Sequence, residues 1–285
     1  MKLAMSNIAW APEERLAAYQ AMAEIGFTGL EIAPGLFFHQ SDNPLVPCDV
    51  RAGEALSEMA GYGLELVSMQ SLLFGVQGTG LFEGDDARAA LVKGMHRAID
   101  LAGRFGIPNL VFGSPAQRRI PDGMSMERAL GKATEVFRAL GDRAKSAGTR
   151  ITIEANPAAY GTNFLNTLDE VEVFVAEVNH PAIAVILDLG AMHMNGEFDT
   201  VPERLRTISQ TLNHVHVSEP ELAPAPADPT LLAPVLSALD KHSYDKAVSI
   251  EMRRPENGIQ GIKSSIVALA TAAKTAGIGW GMAHA

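Results

Sequence analysis

The sequence predicts an α/β chain folded as a (β/α)8 barrel, the TIM-barrel architecture, in a single domain over residues 1–285. Three observations predict it. Eight short apolar or β-branched runs recur along the chain, and stretches of helical pattern separate them. Gly26, Gly63, Gly106 and Gly148 each fall a few residues before a run, where a helix end needs a left-handed residue. The length, 285 residues, suits one such barrel, a fold that commonly exceeds the usual domain size.

The elements follow in order. KLAMSNIAW (2–10) is the first run, and Pro12 then sits early in PEERLAAYQAMAEIG, as proline does in a first helical turn. TGLEIAP (28–34) and LELVSMQ (64–70) are the second and third runs. Residues 85–106 open with two acids and close on Gly106. NLVFGSP (109–115) is the fourth run, and residues 125–148 run from Ser125 to Gly148. These are helix start and stop signals. RITIEANP (150–157), AVILDLG (184–190), HVHVSEP (214–220) and AVSIEMR (247–253) complete the eight, with PELAPAPADP (220–229) as a loop. Strict alternation of strand and helix implies a parallel sheet, and several runs are apolar on both faces, as covered strands are. An open doubly wound sheet is the rival, but no G-x-G-x-x-G follows the first run.

Composition narrows the function. The chain is 47% hydrophobic and 20% charged, enough for a large core and against disorder. No apolar run nears the roughly 18 residues that span a bilayer, and MKLAMSNIAW turns polar too soon for a signal peptide. The expectation is a cytoplasmic protein with no membrane partner. The single cysteine, Cys48, excludes an internal disulfide and a Cys-rich zinc site. A net charge of −10 and a pI near 5.3 argue against nucleic-acid binding, which needs clustered cations.

Four residues carry the chemistry. Glu154 follows ITI, Asp188 follows VIL, His216 ends HVH and Glu251 follows VSI. Their separations are 34, 28 and 35 residues, each about one strand-plus-helix unit. In a barrel of this kind functional groups gather at the C-terminal strand ends, so the four converge on one mouth. A carboxylate beside apolar residues is costly unless paired or metal-bound. A lone Glu at a strand end reads equally as a salt bridge or cap, but four in succession point to a divalent cation. Three oxygen donors and one nitrogen favour Mn²⁺ or Mg²⁺, with Co²⁺ or Zn²⁺ also accommodated.

These segments resemble the sugar phosphate isomerase/epimerase group of the xylose isomerase-like barrel superfamily, which includes ketose 3-epimerases, hydroxypyruvate isomerase, inosose dehydratase and endonuclease IV. The ordered Glu, Asp, second His of H-x-H and Glu carry the resemblance, which spans the chain and is sharpest from 150 to 253. It implies that Glu154, Asp188, His216 and Glu251 bind one divalent ion, and that Glu154 and Glu251 double as acid/base groups on opposite sides of a sugar. The implied activity is isomerisation or epimerisation through an enediolate. The alternative is a dehydratase or other lyase of the inosose or dehydroshikimate type, since the same base serves β-elimination. The DNA-repair members need a richer ligand set and a basic face, against the charge found here. A non-catalytic sugar-binding protein would not need both flanking acids.

Two departures from the group's pattern stand out. Many relatives have His three residues after the Asp, where this chain has Ala191, with His193 two residues later. After the H-x-H the chain reads Ser218-Glu219-Pro220 in place of Lys-Asp. Candidate substrate contacts are His193, Glu219, Arg253, Asn7, Gln70 and Trp10, all at or just beyond the ends of runs. His214 faces the same way as His216 by strand alternation and reads as a supporting group. Arg118 and Arg119 follow the fourth run, and Arg254 reads as the partner of a nearby acid. The apolar stretches GLFFHQ (35–40) and LLFGVQGTGLF (72–82) read equally as a lid over the mouth or as a dimer surface. A homo-oligomer, dimer or tetramer, is the expected assembly.

Overall fold

The computed structural model describes residues 1–73 and 75–280. Its strands are β1 Lys2–Ser6, β2 Gly29–Ile32, β3 Glu65–Met69, β4 Asn109–Phe112, β5 Arg150–Ile153, β6 Ile183–Asp188, β7 Leu212–Val217 and β8 Ala247–Ile250. They form a closed barrel in that order, and the registered pairs are parallel. The helices are α1 Arg15–Ile25, α2 Pro34–Phe37, α3 Asp49–Ala60, α4 Asp85–Phe105, α5 Met126–Ser146, α6 Leu168–Val178, α7 Leu189–Met194, α8 Val201–Ile208, α9 Pro229–Lys241 and α10 Ile259–Thr275. Among the described residues no helix is long and apolar enough to cross a membrane.

Two compact units are distinguished, Ser68–Leu187 and the described part of Met1–Val67 with Asp188–Ala285. In the latter, β1 pairs with β2 (Ala4↔Gly29) and with β8 (Ala4↔Ser249), and β7 pairs with β8 (His216↔Ser249). Ala4, Val67 and Ala247 form a buried cluster. β1 and β3 both flank β2, so side chains that meet across it lie inside the barrel. A Cβ on Gly29 would lie 2.7 Å from the Ala4 Cβ and 3.1 Å from a Val67 methyl. The interior is therefore packed with small residues at this level.

In the unit Ser68–Leu187, β4 and β5 run in register from Asn109↔Arg150 to Phe112↔Ile153. Phe112 meets Phe137 of α5 edge-on at 4.9 Å between ring centroids, and Phe137 meets Phe174 of α6 at 5.4 Å. Phe112 and its partner Ile153 thus face the helices, which turns Thr152 and Glu154 to the opposite face by alternation. α5 buries Ala129, Ala133, Phe137, Leu140 and Ala144, a stripe at i+3 and i+4 spacing. Ser125 caps it by accepting from the Arg128 N–H. A reciprocal Thr167–Glu170 box caps α6.

The strands are shorter than the apolar runs that announce them. β1 stops at Ser6 because Asn7 turns away and binds Ala33, its Oδ1 accepting from the Ala33 N–H at 2.7 Å. Gly26, Gly63, Gly106 and Gly148 all have positive φ, from +66° to +87°, as the helix ends require. Phe37 and Phe38 are buried, stacked edge-on at 4.8 Å, because α2 folds them inward. In 72–82, Leu72, Leu73, Leu81 and Phe82 are also buried, while Phe74 lies outside the described residues.

Since the interior at β2 has no room for a side chain, Gly29→Val should destabilise the fold by roughly 1–3 kcal/mol, the usual range for overpacking. Urea unfolding followed by circular dichroism measures this. An unchanged midpoint would show that the cluster yields without strain.

Candidate metal centre

Asp188, His216 and Glu251 come together at the C-terminal ends of β6, β7 and β8. Their potential ligand atoms lie within 4.8 Å of one another. His216 Nδ1 is 3.2 Å from Glu251 Oε2 and 3.5 Å from Asp188 Oδ2. The His216 side chain is fully buried, and those of Asp188 and Glu251 are only 11% and 10% exposed. Glu251 is one residue past β8, yet its N–H still bonds the Val217 carbonyl at 3.0 Å, so the strand ladder fixes its position. His216 pairs with Ser249, and Glu251, two residues on, shares that face.

Asp188 is held from two sides. Its Oδ1 caps α7 by accepting from the Ala191 N–H at 2.6 Å, and its Oδ2 accepts from the Ser218 hydroxyl at 2.9 Å. Ser218 Oγ in turn accepts from the Gly190 N–H at 2.8 Å. That N–H is in the first turn of α7, where no helical carbonyl is available to it.

Beneath this group lies Glu31, on β2 and wholly buried. Its carboxylate is 3.0 and 3.2 Å from His216 Nε2 and 2.6 Å from His214 Nε2. Burial alone would raise its pKa, but electrostatic attraction to His216 and His214 and their hydrogen bonds hold it well below the usual carboxylate range. Glu31 is therefore an ionised group inside the protein.

Glu154, in the unit Ser68–Leu187, is one residue past β5, and its N–H bonds the Phe112 carbonyl at 3.2 Å. Its Oε2 accepts from Asn156 Nδ2 at 2.8 Å, and its backbone carbonyl accepts from Arg118 Nη2 at 2.9 Å. Arg118 is fully buried, and burial pushes its pKa down to about 10 against the pull of the Glu154 charge, so it remains protonated at neutral pH. Gly113 leaves the space this carboxylate occupies, since a Cβ there would overlap Glu154 Oε2.

The family model for xylose isomerase-like TIM barrels matches residues 19–272. The chain belongs to that family. Among solved structures it is similar to D-psicose 3-epimerase in the presence of D-fructose, with a TM-score of 0.76 and 20% identity over 97% of this chain and 100% of that one. It is also similar to 3-keto-D-glucoside 4-epimerase from E. coli, at 0.72 and 20% over 95% and 99%. A family 2 AP endonuclease from Brucella melitensis gives 0.68 and 20% over 92% and 97%. No curated protein matches the chain by sequence. Such identities speak to the shared fold, and the site must be argued from this family member's own residues.

Asn7 is engaged with Ala33. Trp10 is buried, edge-on to Tyr19 at 6.2 Å. Gln70 is buried just beyond β3. His193 lies on α7, stacked on Phe198 at 3.8 Å with the rings within 8° of parallel. Glu219 accepts from the Ala227 N–H at 2.8 Å, and both His193 and Glu219 line a small cavity with Phe198, Val217 and Asp228. Arg253 is exposed, while Arg254 forks onto Glu14 at 2.7 and 2.9 Å. Sequence reasoning passed over Glu31, although a charge inside the apolar run LEI is the same signal that marked Glu154 and Glu251. It also passed over Asn156, Gly113 and the anchoring role of Ser218, which no pattern announces.

Replacing Ser218 by Ala would free Asp188 Oδ2 and strand the buried Gly190 N–H. Ser218→Ala should cost roughly 1–3 kcal/mol, the penalty of an unsatisfied buried donor. Thermal unfolding of the metal-free protein tests this, and an unchanged Tm would show that the hydroxyl holds nothing.

Proposed function

We propose that this chain is a divalent-metal-dependent isomerase or epimerase of a small sugar or sugar derivative. One observation carries the reading. Two carboxylates and an imidazole nitrogen face each other at 3.2–3.5 Å with little solvent, an arrangement a cation would stabilise. The family resemblance implies Glu154 as the fourth ligand beside Asp188, His216 and Glu251. Glu154 sits at the corresponding strand end, in the order that the family resemblance implies. Three oxygens and one nitrogen suit Mn²⁺ best, with Mg²⁺, Co²⁺ and Zn²⁺ also accommodated. Likeness to structures named as a psicose 3-epimerase and a 3-keto-glucoside 4-epimerase supports a sugar as the substrate class.

The bound ion supplies electrostatic stabilisation of negative charge developing on a substrate oxygen. The chain's own residues do the rest. Glu154 and Glu251 hold and move the proton of a carbon beside a carbonyl, one removing it and the other returning it. Glu154 follows β5 and Glu251 follows β8, the two positions at which the family resemblance implies the acid/base pair. Asp188, tied to Ala191 and Ser218, and His216, wedged against Glu31, are too constrained to carry a proton to carbon and serve to hold the ion.

Protein stripped with chelator and reloaded with Mn²⁺ should take up one ion per chain by elemental analysis. Incubated in D₂O with ketoses, aldoses and keto-inositols, it should place deuterium on the sugar carbon skeleton, read by NMR. A dehydrated product would redirect the reading to a lyase, and full turnover in the stripped protein would end the metal reading.

Glu154→Gln and Glu251→Gln should each lower turnover by roughly 10²–10⁴ in protein shown to hold metal. Near-native turnover in either variant would remove that residue from the proton-transfer role.

A further inference from the structure

Glu31 has no place in the ligand set, yet it is a charged side chain with no exposure at all in an otherwise apolar β2. Its surroundings explain what it does. The His214 and His216 rings stand 84° apart with centroids 5.2 Å from each other. Each ring presents Nε2 to the same carboxylate, His214 closest to Oε2 and His216 closest to Oε1. A carboxylate accepts hydrogen bonds and donates none, so each imidazole must carry its proton on Nε2. A bare Nε2 would set a lone pair against the carboxylate at side chains closed to solvent.

That constraint reaches the metal centre through one ring. With Nε2 committed to Glu31, the His216 nitrogen free to act as a ligand is Nδ1, the atom that faces Glu251 and Asp188. We propose that Glu31 is the positioning residue of the centre, orienting His216 and fixing its Nε2–H so that Nδ1 is offered to the ion. Second partners of this kind set the tautomer and direction of a ligating histidine. His214 braces the carboxylate from the other side, so the hub is Glu31 with two imidazoles rather than a single pair. The inference rests on the metal reading of Asp188, His216 and Glu251, but its own evidence is the geometry beneath them.

Glu31→Gln separates the roles cleanly. The amide keeps the shape but turns one acceptor oxygen into an NH₂ donor, so one imidazole must give up its Nε2 proton and move it to Nδ1. In ¹⁵N-histidine-labelled, metal-free native protein, both His214 and His216 should show slowly exchanging Nε2–H signals. In Glu31→Gln one of the two should be lost, and Mn²⁺ affinity should fall roughly 10- to 100-fold. Absence of a protected Nε2–H on His216 in the native protein would overturn the proposal, and this readout stands even if the Gln variant does not fold. Folded Glu31→Gln with both signals and native affinity would overturn it equally. Failure of the native protein to bind Mn²⁺ while both signals persist would instead sink the metal reading and leave the orientation of His216 intact.

Discussion

The constraint on which the rest depends is the burial of charge. Glu31, His214 and His216 have essentially no exposure, and Asp188 and Glu251 have about a tenth. An isolated ion in such surroundings costs several kcal/mol even after relaxation. A fold tolerates the concentration only if each group meets a partner of the right kind. Glu31 meets two imidazoles, Asp188 meets a helix N-terminus and a hydroxyl, and Glu154 meets the Asn156 amide. The faces still turned on one another, His216 Nδ1 and the Glu251 and Asp188 carboxylates, are the ones a cation would join.

The apolar parts of the structure serve this arrangement by fixing strand faces. Small residues, Gly29 against Ala4 and Val67, fill the barrel below Glu31. In the unit Ser68–Leu187 the aromatic series from Phe112 through Phe137 to Phe174 pins β4 to its helices. β5 is paired to β4 residue by residue, so Glu154 has no freedom to slip. A one-residue shift of either strand would carry every side chain to the other face. The ladder bonds of Glu154 and Glu251 to Phe112 and Val217 are the last in their strands, which places these acids where register is still enforced and solvent begins.

Period and punctuation made the fold legible. Eight apolar runs, the helices between them and the glycines at their ends are local features, and local features are what a sequence displays. Strand ends were less legible, because termination is decided at a distance. Nothing in KLAMSNIAW shows that Asn7 will leave β1 to bind Ala33. The same distinction divides the site. Asp188, His216 and Glu251 were readable because each interrupts an apolar run, and Glu31 was readable on that ground too. Ser218, Gly113 and Asn156 were not, since a small or neutral residue after a strand is ordinary until its neighbour is known. Gly113 matters only because Glu154 fills its missing side chain, and Arg118 only because it donates to the Glu154 carbonyl.

The family resemblance implies a histidine where this chain has Ala191, and the backbone at that position serves Asp188 all the same. Asp188 is secured there by the Ala191 backbone N–H, a donor that every residue except proline supplies. The side chain at 191 is thus free to vary without loosening Asp188, and Ala191 is buried, where a small residue packs readily. The imidazole two residues on does not return to that position. His193 lies flat against Phe198 and shares a cavity with Glu219, while Glu219 itself is bound to the Ala227 N–H. At this edge the chain has the small, buried Ala191, and the imidazole of His193 is stacked on Phe198. The anchoring of Asp188 does not depend on which side chain stands at 191.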